Sequence, residues 1–305
     1  MKFGVNLINF GPGANPESLT RTVNLVEAIG YHLIMSSDHI AMEPDVSSRY
    51  PAPFYEPLTT MGWLAATTRS MEIGTTVAIL PYRSPLEIAR AGANVDQLSG
   101  GRFILGVGVG WAEQEFDALN VPFRQRGAIT DDYLAAIKVL WTQDIASYEG
   151  RYVSFTDVDT AARPVREPHP PIWVGGASDG ALRRTVRYGD GWHPIRIRLS
   201  EFRDREIPRL RKMADRERMP MPALCPRIRL RITESPMPDD RRIAGEGSLD
   251  QIRSDLEGLQ ALGCTHVLLD TYYDDIEATT HHETAWRMLT TVAEKAVDLK
   301  NETVR

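Results

Sequence analysis

An aspartate–histidine pair is the part of this sequence with the clearest capacity for chemistry. Asp38 and His39 follow the apolar stretch Leu33–Ser36, which is predicted to be a short buried strand. Imidazole titrates near neutral pH, so a neighbouring carboxylate can orient it or exchange a proton with it. We therefore expect His39 to donate or accept a proton and Asp38 to orient it. The structural alternative is that Asp38 caps a helix and His39 is a polar surface residue.

Two glycine-rich segments, Gly106–Trp111 and Gly175–Ser178, also follow predicted strands. Glycine has no Cβ, so a ligand or another backbone can come close to such a loop. The second segment leads into a predicted helix over Asp179–Tyr188, and the free amides at a helix N-terminus suit a phosphate. Tight turns and a Ser178 helix cap are the structural alternatives.

The elements that would position these residues alternate between strands and helices along the whole chain. Strands are predicted over Lys2–Asn9, Leu33–Ser36, Glu72–Leu80, Arg102–Val107, Pro171–Val174, Gly191–Pro194, Leu224–Ile232 and Thr265–Asp270. Helices are predicted over Pro16–Ile29, Pro57–Thr68, Pro85–Leu98, Ile129–Trp141, Asp179–Tyr188, Glu201–Arg216, Leu249–Leu262 and about 282–299. Eight such units favour an α/β fold in which one (β/α)8 barrel, a TIM barrel, forms a single domain over residues 1–305. The site of such a barrel lies at the carboxyl ends of its strands.

Insertions interrupt the barrel pattern in two places. One covers Ile40–Glu56 after strand two, and the other covers about 142–169 after the helix that follows strand four. Within the second, Tyr148–Phe155 is predicted to form a hairpin. Long loops in a compact domain are usually functional, so these insertions are candidate walls or lids of the site.

Composition limits the classes of function. The 305 residues carry a net charge of -6, with 42% hydrophobic and 25% charged residues, which argues against nucleic acid as a main partner. No stretch is long enough to span a membrane, and the first ten residues do not resemble a signal peptide. We therefore expect a cytoplasmic protein that has no membrane partner. Cys225 falls in a predicted strand and Cys264 directly precedes one, and both are expected to be buried free thiols.

The chain resembles the luciferase-like monooxygenase superfamily, whose members are (β/α)8 flavin and deazaflavin oxidoreductases. The resemblance is clearest from the first strand to about Pro194. The segments that carry it are Ser37-Asp38-His39, Thr76–Pro85, Ser99–Gly108, Pro170–Gly176, Ala181–Arg184 and Gly189–Trp192.

The resemblance implies a cofactor and the residues that bind it. Asp-His after strand two is similar to the subgroup that uses coenzyme F420, a 5-deazaflavin, whereas many FMN-using members have Glu-His-His there. A non-proline cis peptide is expected at Thr76–Val77, against the back of the ring, and the glycine loops are expected to hold the phosphate-bearing tail. The implied cofactor-binding residues are Asp38, His39, Thr76, Val77, Gly108, Val109, Gly110, Trp111, Gly175, Gly176, Ala177 and Ser178.

The resemblance also implies the reaction, a hydride transfer between the deazaflavin C5 atom and a small organic substrate. Related sugar-phosphate dehydrogenases have a glutamate in the loop after strand four, where this chain has Val109-Gly110-Trp111. We therefore expect a partly apolar substrate. The candidate pocket residues are Met42, Tyr82, Arg83, Trp111 and Trp192.

Other functions stay open at this point. The main alternative is an FMN-dependent monooxygenase that uses molecular oxygen. A flavin-binding barrel without turnover is a second, and an unrelated metal-dependent barrel a third, although the sequence has no His-x-His pair and we expect no metal. The family also implies a homodimer. The sequence names neither the substrate nor the direction of hydride transfer.

Overall fold

The computed structural model of the chain describes residues 1–160, 162–272 and 274–305. Its centre is a barrel of parallel strands, which we number one to eight in chain order. The strands are Lys2–Leu7, Leu33–Ser36, Glu72–Thr75 continued by Ala78–Ile79, Phe103–Gly108, Ile172–Gly175, Gly191–His193, Ala223–Leu224 continued by Arg227–Arg229, and His266–Asp270.

The barrel closes through strand seven, which is divided into two pieces. Ala223–Leu224 pairs with strand six, and Arg227–Arg229 pairs with strand eight. Pro226 lies between the two pieces and has no amide hydrogen to donate, but its carbonyl accepts a hydrogen bond from the Leu268 amide. The strands therefore form a continuous ring, and the predicted TIM-barrel fold is confirmed.

Helices surround the barrel, and several begin at side-chain caps that the sequence supplies. Asn15 and Ser248 each form a capping box at the start of their helices, and Ser84 and Ser178 also cap helices. The helices that cover the barrel are Pro16–Ile29, Pro57–Thr67, Pro85–Ser99, Arg126–Thr142, Asp179–Tyr188, Ile207–Glu217, Leu249–Ala261 and Glu283–Lys295. Shorter helical segments are Pro44–Ser47, Leu80–Tyr82, Glu113–Ala118, Phe123–Gln125, Leu199–Glu201, Phe202–Glu206 and Ile276–Thr279.

Two predicted elements differ from the structure for local reasons. The predicted third strand is interrupted at Thr76–Val77, where the peptide bond is cis. The predicted helix Glu201–Arg216 contains a π-helical turn over Phe202–Glu206, immediately before Ile207 and Pro208. Proline cannot donate the i→i−4 hydrogen bond, and such a break favours a wider turn.

The two insertions add structure outside the barrel. The predicted hairpin is confirmed, because Ile145–Glu149 and Ser154–Asp159 form an antiparallel pair. The insertion after strand two contains the short helix Pro44–Ser47 and joins the barrel through a β-bridge between Phe10 and Phe54. Two further small pairs are Arg231–Ile232 with Glu246–Gly247 and Val297–Asp298 with Thr303–Val304.

Apolar side chains fill the space between strands and helices and also the inside of the barrel. The inner cluster consists of Leu33, Met35, Ile104, Trp173, Cys225 and Leu268, all buried. Cys225 and Cys264 are buried free thiols, as predicted. Within the described residues, we find no helix with the length and apolar character needed to cross a membrane.

Candidate active site

His39 lies at the carboxyl end of the barrel, directly after strand two, inside a cluster of aromatic rings. The ring of Tyr50 stacks on its imidazole with the centroids 5.1 Å apart. Phe54 and Trp111 approach it edge-on, at 5.5 and 5.6 Å. The rings restrict the imidazole, which is only 7% exposed. His39 is therefore held in one orientation by packing.

Glu115 fixes which nitrogen of His39 is protonated. The Nδ1 atom of His39 lies 2.6 Å from Oε2 of Glu115. A carboxylate can only accept a hydrogen bond, so Nδ1 carries the proton and, in the neutral ring, Nε2 carries the lone pair. Among the described residues nothing bonds to Nε2, and this atom is not fully buried. His39 can therefore take up or release a proton at Nε2.

Glu115 itself is completely buried, and each of its oxygens accepts two hydrogen bonds. Oε1 accepts from the backbone amides of Ile40 and Ala41 at 2.8 and 3.0 Å, and Oε2 accepts from His39 and from the Tyr82 hydroxyl at 2.8 Å. Burial acts to raise the pKa of Glu115, but the hydrogen bond and charge of His39 and the two amides lower it below its usual value. Glu115 is therefore a carboxylate at neutral pH.

Asp38 does not orient His39, which corrects the sequence prediction. Its carboxylate forms a bidentate ion pair with Arg83, at 2.7 and 2.9 Å, and accepts the Ile79 amide at 2.9 Å. Burial raises the pKa of Asp38, while Arg83 acts in the opposite direction. Asp38 is therefore bonded to Arg83 and the end of strand three, whereas His39 faces the aromatic cluster. With its side chain fully buried, Asp38 anchors the end of strand three.

The interrupted third strand brings Thr76 and Val77 to the centre of the barrel mouth. The Thr76–Val77 peptide bond is a non-proline cis bond, at the position that the family resemblance implied. The Thr76 hydroxyl lies 2.8 Å from Nε2 of His193, and Arg227 donates to the Thr76 carbonyl at 2.8 Å. Burial lowers the pKa of His193 to about 4, so this histidine is neutral. These contacts hold the cis segment in place.

The first glycine loop makes room for protein backbone and side chains. A Cβ on Gly108 would lie 2.5 Å from a methyl group of Val77, so only glycine fits beside the cis segment. Gly110 has a φ of +80°, and a Cβ there would lie 2.8 Å from Phe116. Arg126 donates to the Gly110 carbonyl at 3.2 Å. Close packing against Val77 and Phe116 therefore explains why Gly108 and Gly110 are glycines.

The second glycine loop is open at the N-terminus of the helix Asp179–Tyr188. Gly176, Ala177 and Ser178 are exposed, and Gly176 has a φ of +94°. Ser178 caps the helix by accepting the Ala181 amide at 3.2 Å. The first amides of the helix remain available on this exposed side, so the donor set suits a phosphate group of a cofactor tail.

A cavity of about 240 Å³ opens at the carboxyl ends of strands six to eight. It is lined by Arg49, Tyr50, Trp111, Ile195, Arg196, Arg227, Ile228, Arg229, Asp270, Tyr272 and Asp274. Tyr50 and Trp111 also contact the His39 ring, so the cavity lies beside the candidate proton-transfer group. A small molecule can therefore reach the neighbourhood of His39 from this side.

Three predicted pocket residues have structural roles instead. Tyr82 donates to Glu115, and the Arg83 side chain is buried between Asp38 and Glu56. Trp192 is completely buried, stacks on Phe202 with centroids 5.4 Å apart, and donates to the Gly176 carbonyl.

Two predicted pocket residues keep some exposure. Trp111 is 41% exposed and lines the cavity. Met42 is partly buried in the insertion after strand two.

Glu115 was not among the residues predicted for the site. The loop after strand four has Trp111 where related dehydrogenases have a glutamate, but the chain supplies a glutamate four residues later, in the helix Glu113–Ala118. The position of Glu115 next to the apolar Phe116 is the one local sign that this glutamate could be buried. Glu113 lies in the same short helix and is an equally good candidate from the sequence. Only the fold shows which carboxylate reaches His39.

Comparison with known proteins identifies the family of this chain. Residues 1–242 match the sequence model of the family described as luciferase-like monooxygenase. A Mycobacterium tuberculosis protein, Rv0953c, is 29% identical over 205 residues, which cover 63% of this chain and 71% of that protein. The FMNH(2)-dependent dimethylsulfone monooxygenase of Pseudomonas putida is 34% identical over 143 residues, which cover 46% of this chain and 39% of that protein.

Solved structures share the fold at low sequence identity. An F420-dependent secondary alcohol dehydrogenase in complex with an F420-acetone adduct has a TM-score of 0.77 at 15% identity, over 96% of this chain and 97% of that chain. Monooxygenase RslO1 from Streptomyces bottropensis has a TM-score of 0.74 at 20% identity, over 96% of this chain and 98% of that chain. With the family match over most of its length, the chain belongs to the luciferase-like monooxygenase family of flavin- and F420-dependent enzymes.

Proposed function

We propose that the protein is a coenzyme F420-dependent oxidoreductase that transfers a hydride to or from a small, partly apolar organic substrate. The observation that carries the proposal is the bonding of His39 beside the cavity: its Nδ1 is bonded to Glu115, and its Nε2 has no partner among the described residues. The Asp38-His39 sequence, similar to that of the F420-using subgroup, favours the deazaflavin over FMN.

In this proposal the protein positions the reactants and moves a proton. F420, when bound, supplies hydride chemistry at its C5 atom. The Nε2 atom of His39 takes the proton of the substrate in the oxidative direction and returns it in the reductive direction. The Glu115 carboxylate stabilises the positive charge that forms on the imidazole, because its own pKa is lowered and it stays ionised. The aromatic cluster around His39 keeps water away from its ring.

The open loop Gly175–Ser178 is the proposed binding site for the phosphate of the cofactor tail. Its exposed backbone precedes a helix N-terminus, and the positive end of that helix favours an anion. The loop Gly108–Trp111 lies beside Val77 and would contact the ring-proximal part of the tail.

FMN-dependent monooxygenation with molecular oxygen is the second candidate. The specific observation in its favour is the 34% identity to an FMNH(2)-dependent monooxygenase. That relative matches 46% of this chain, so the comparison does not decide between the two cofactors.

A side-by-side titration of the protein with oxidised F420 and with FMN, followed by fluorescence, tests the proposal. We expect selective binding of F420, and His39→Ala should retain that binding. Selective binding of FMN would overturn the proposal in favour of the monooxygenase. Binding of neither would shift the assignment to a barrel without turnover.

Two variants of one residue locate the cofactor in that titration. Ala177→Asp places a carboxylate in the proposed phosphate site and should weaken F420 binding about tenfold or more through charge repulsion. Ala177→Ser changes the same position without adding charge and serves as the matched control. Equal binding by both variants would remove the phosphate site from this loop.

We also propose that residues 1–305 fold as one domain, that the chain forms a homodimer and that it is cytoplasmic. The dimer rests on the family resemblance, since members usually pair through helices near strands two and three. A monomeric mass by light scattering would contradict it.

A further inference from the structure

The cavity beside His39 is rich in arginine. Four arginines and two aspartates line it. Such an excess of positive charge in a cavity of about 240 Å³ attracts an anion, because the confined walls exclude much of the screening water. Which of the arginines can receive an anion depends on their existing partners.

Three of these arginines are already neutralised by carboxylates. Arg227 pairs with Asp270 at 2.7 Å. Arg196 pairs with Asp274 at 2.7 Å, and Arg229 contacts the same Asp274 and also Glu246 at 3.2 Å. Their guanidinium groups form a network with protein partners, so a ligand would have to compete for them.

Arg49 is different. Within residues 1–160, 162–272 and 274–305, no carboxylate pairs with its guanidinium, which lies over the ring of Trp111 at 5.0 Å from the centroid. The backbone is fixed all the same, because the Tyr272 hydroxyl donates to the Arg49 carbonyl. Arg49 is thus anchored at the cavity wall through its backbone, and its guanidinium has no hydrogen-bond partner among the residues that the structure describes.

Trp111 connects this cation to the proton-transfer group. Its ring contacts Arg49 by its face and packs edge-on against His39, with the His39 centroid 5.6 Å away. The indole is 41% exposed, so it offers an apolar surface between the two polar groups. A molecule lying along this surface would have one end near Nε2 of His39 and the other near Arg49.

We propose that the substrate of the protein carries a carboxylate that Arg49 binds, with an apolar body against Trp111 and the reacting carbon toward His39. The inference rests on the proposed function for its interpretation of the ligand as a substrate. Guanidinium binds a carboxylate through two parallel hydrogen bonds, and the cation–π contact with Trp111 keeps the Arg49 guanidinium beside the cavity. Arg49 is then the specificity residue of the cavity.

Binding of small acids to the protein without cofactor tests this inference. The probes are benzoate, 4-formylbenzoate and hexanoate, each compared with its methyl ester, and the dissociation constants are measured by saturation-transfer NMR. We expect at least one acid to bind about tenfold more tightly than its ester. Arg49→Gln should remove that preference, and Arg49→Lys should restore part of it.

Arg151→Gln is the matched control, because Arg151 is also exposed and lies over an aromatic ring, that of Tyr152, at 5.1 Å. It is in the hairpin, outside the residues that line the cavity. The acid preference should be unchanged in this variant. Loss of the preference in both variants would show a nonspecific effect of net charge and would overturn the inference.

The outcomes separate this inference from the proposed function. If no acid binds more tightly than its ester, the carboxylate site is wrong even if F420 binds. If Arg49→Gln weakens F420 binding but leaves acid binding unchanged, Arg49 serves the acidic cofactor tail and the inference is wrong. If the acids depend on Arg49 but F420 does not bind, the carboxylate site stands and the proposed cofactor fails.

Discussion

Arg102 and Arg49 lie at opposite ends of the barrel and differ in what their side chains bind. Arg102, just before strand four, makes five side-chain hydrogen bonds, all to protein oxygens. Arg49, at the carboxyl end, rests on Trp111 with no carboxylate partner among the described residues. A guanidinium whose donors all bind protein oxygens holds segments of the chain together, whereas one without such partners can bind a ligand.

The carboxylates of the two ends show a related difference. Glu72, at the amino end of strand three, pairs with Lys2 and His266, both at 3.2 Å, in a partly exposed cluster. Glu115, at the carboxyl end, is buried, and each of its oxygens accepts two hydrogen bonds. One of them comes from Nδ1 of His39, whose Nε2 has no partner among the described residues. The amino end uses charge to hold strands together, and the carboxyl end uses it to fix the orientation of one imidazole.

The largest expected effect comes from removing the reactive atom. His39→Ala should lower kcat by about 10²–10⁴-fold, the usual contribution of a general acid or base, while F420 binding changes little. Turnover is measured by the absorbance of the oxidised cofactor, with a substrate found by screening the wild type. Unchanged turnover in His39→Ala would discard the proton-transfer role.

The next largest effect is a loss of stability on replacing Arg102. Arg102→Met should lower the free energy of unfolding by about 2–4 kcal/mol, because several backbone carbonyls lose a charged donor. Arg49→Met, the matched change at the other end, should alter it by no more than about 0.5 kcal/mol. Denaturant unfolding measures both. Equal losses would contradict the distinction between the two ends.

Glu115→Gln tests positioning rather than chemistry. The amide keeps the shape of the side chain but has no charge to stabilise the imidazolium, so kcat should fall about tenfold to a hundredfold with F420 binding nearly unchanged. The pH dependence of kcat should shift as well, which a purely structural role would not cause. A loss of cofactor binding equal to the loss of kcat would argue against this role.

The smallest effect is a pH dependence of stability at the amino end. Burial alone would raise the pKa of Glu72, but His266 and Lys2 lower it from 4.5 to about 2. A depressed carboxyl pKa stabilises the fold above the unfolded value and loses that contribution as pH falls through the folded value. The free energy of unfolding should therefore fall between about pH 4.5 and 2 by about 1–2 kcal/mol, less in Glu72→Gln. The exposed Glu257→Gln should keep the wild-type slope.

The sequence was sufficient for the order of the barrel elements because apolar runs, caps and glycines are local signals. Strand seven shows the limit, since its predicted range Leu224–Ile232 is divided at Pro226 and its two pieces serve different neighbours. The position of the cis bond at Thr76–Val77 followed from the family resemblance and not from a local pattern.

The candidate site was predictable only for residues that directly follow a predicted strand. His39 could be singled out because it follows a strand, but its partner Glu115 is 76 residues away and depends on how strand four and its helix return to the barrel mouth. The neighbour Asp38 was the wrong partner, because its carboxylate is bonded to Arg83 and to the Ile79 amide. Arg49 lies in an insertion whose irregular pattern gives no sign of where its side chain points.

The protonation state of the His39 ring is the most direct test of whether this histidine transfers a proton at Nε2. A ¹⁵N NMR spectrum of the histidine rings, with His39 assigned by comparison with His39→Ala, reports which nitrogen carries the proton of the neutral imidazole. We expect a protonated Nδ1 and an unprotonated Nε2, whose resonance shifts when F420 is added. A protonated Nε2 in the neutral ring, or an Nε2 resonance that does not respond to the cofactor, would contradict the assignment of His39 as the proton-transfer group.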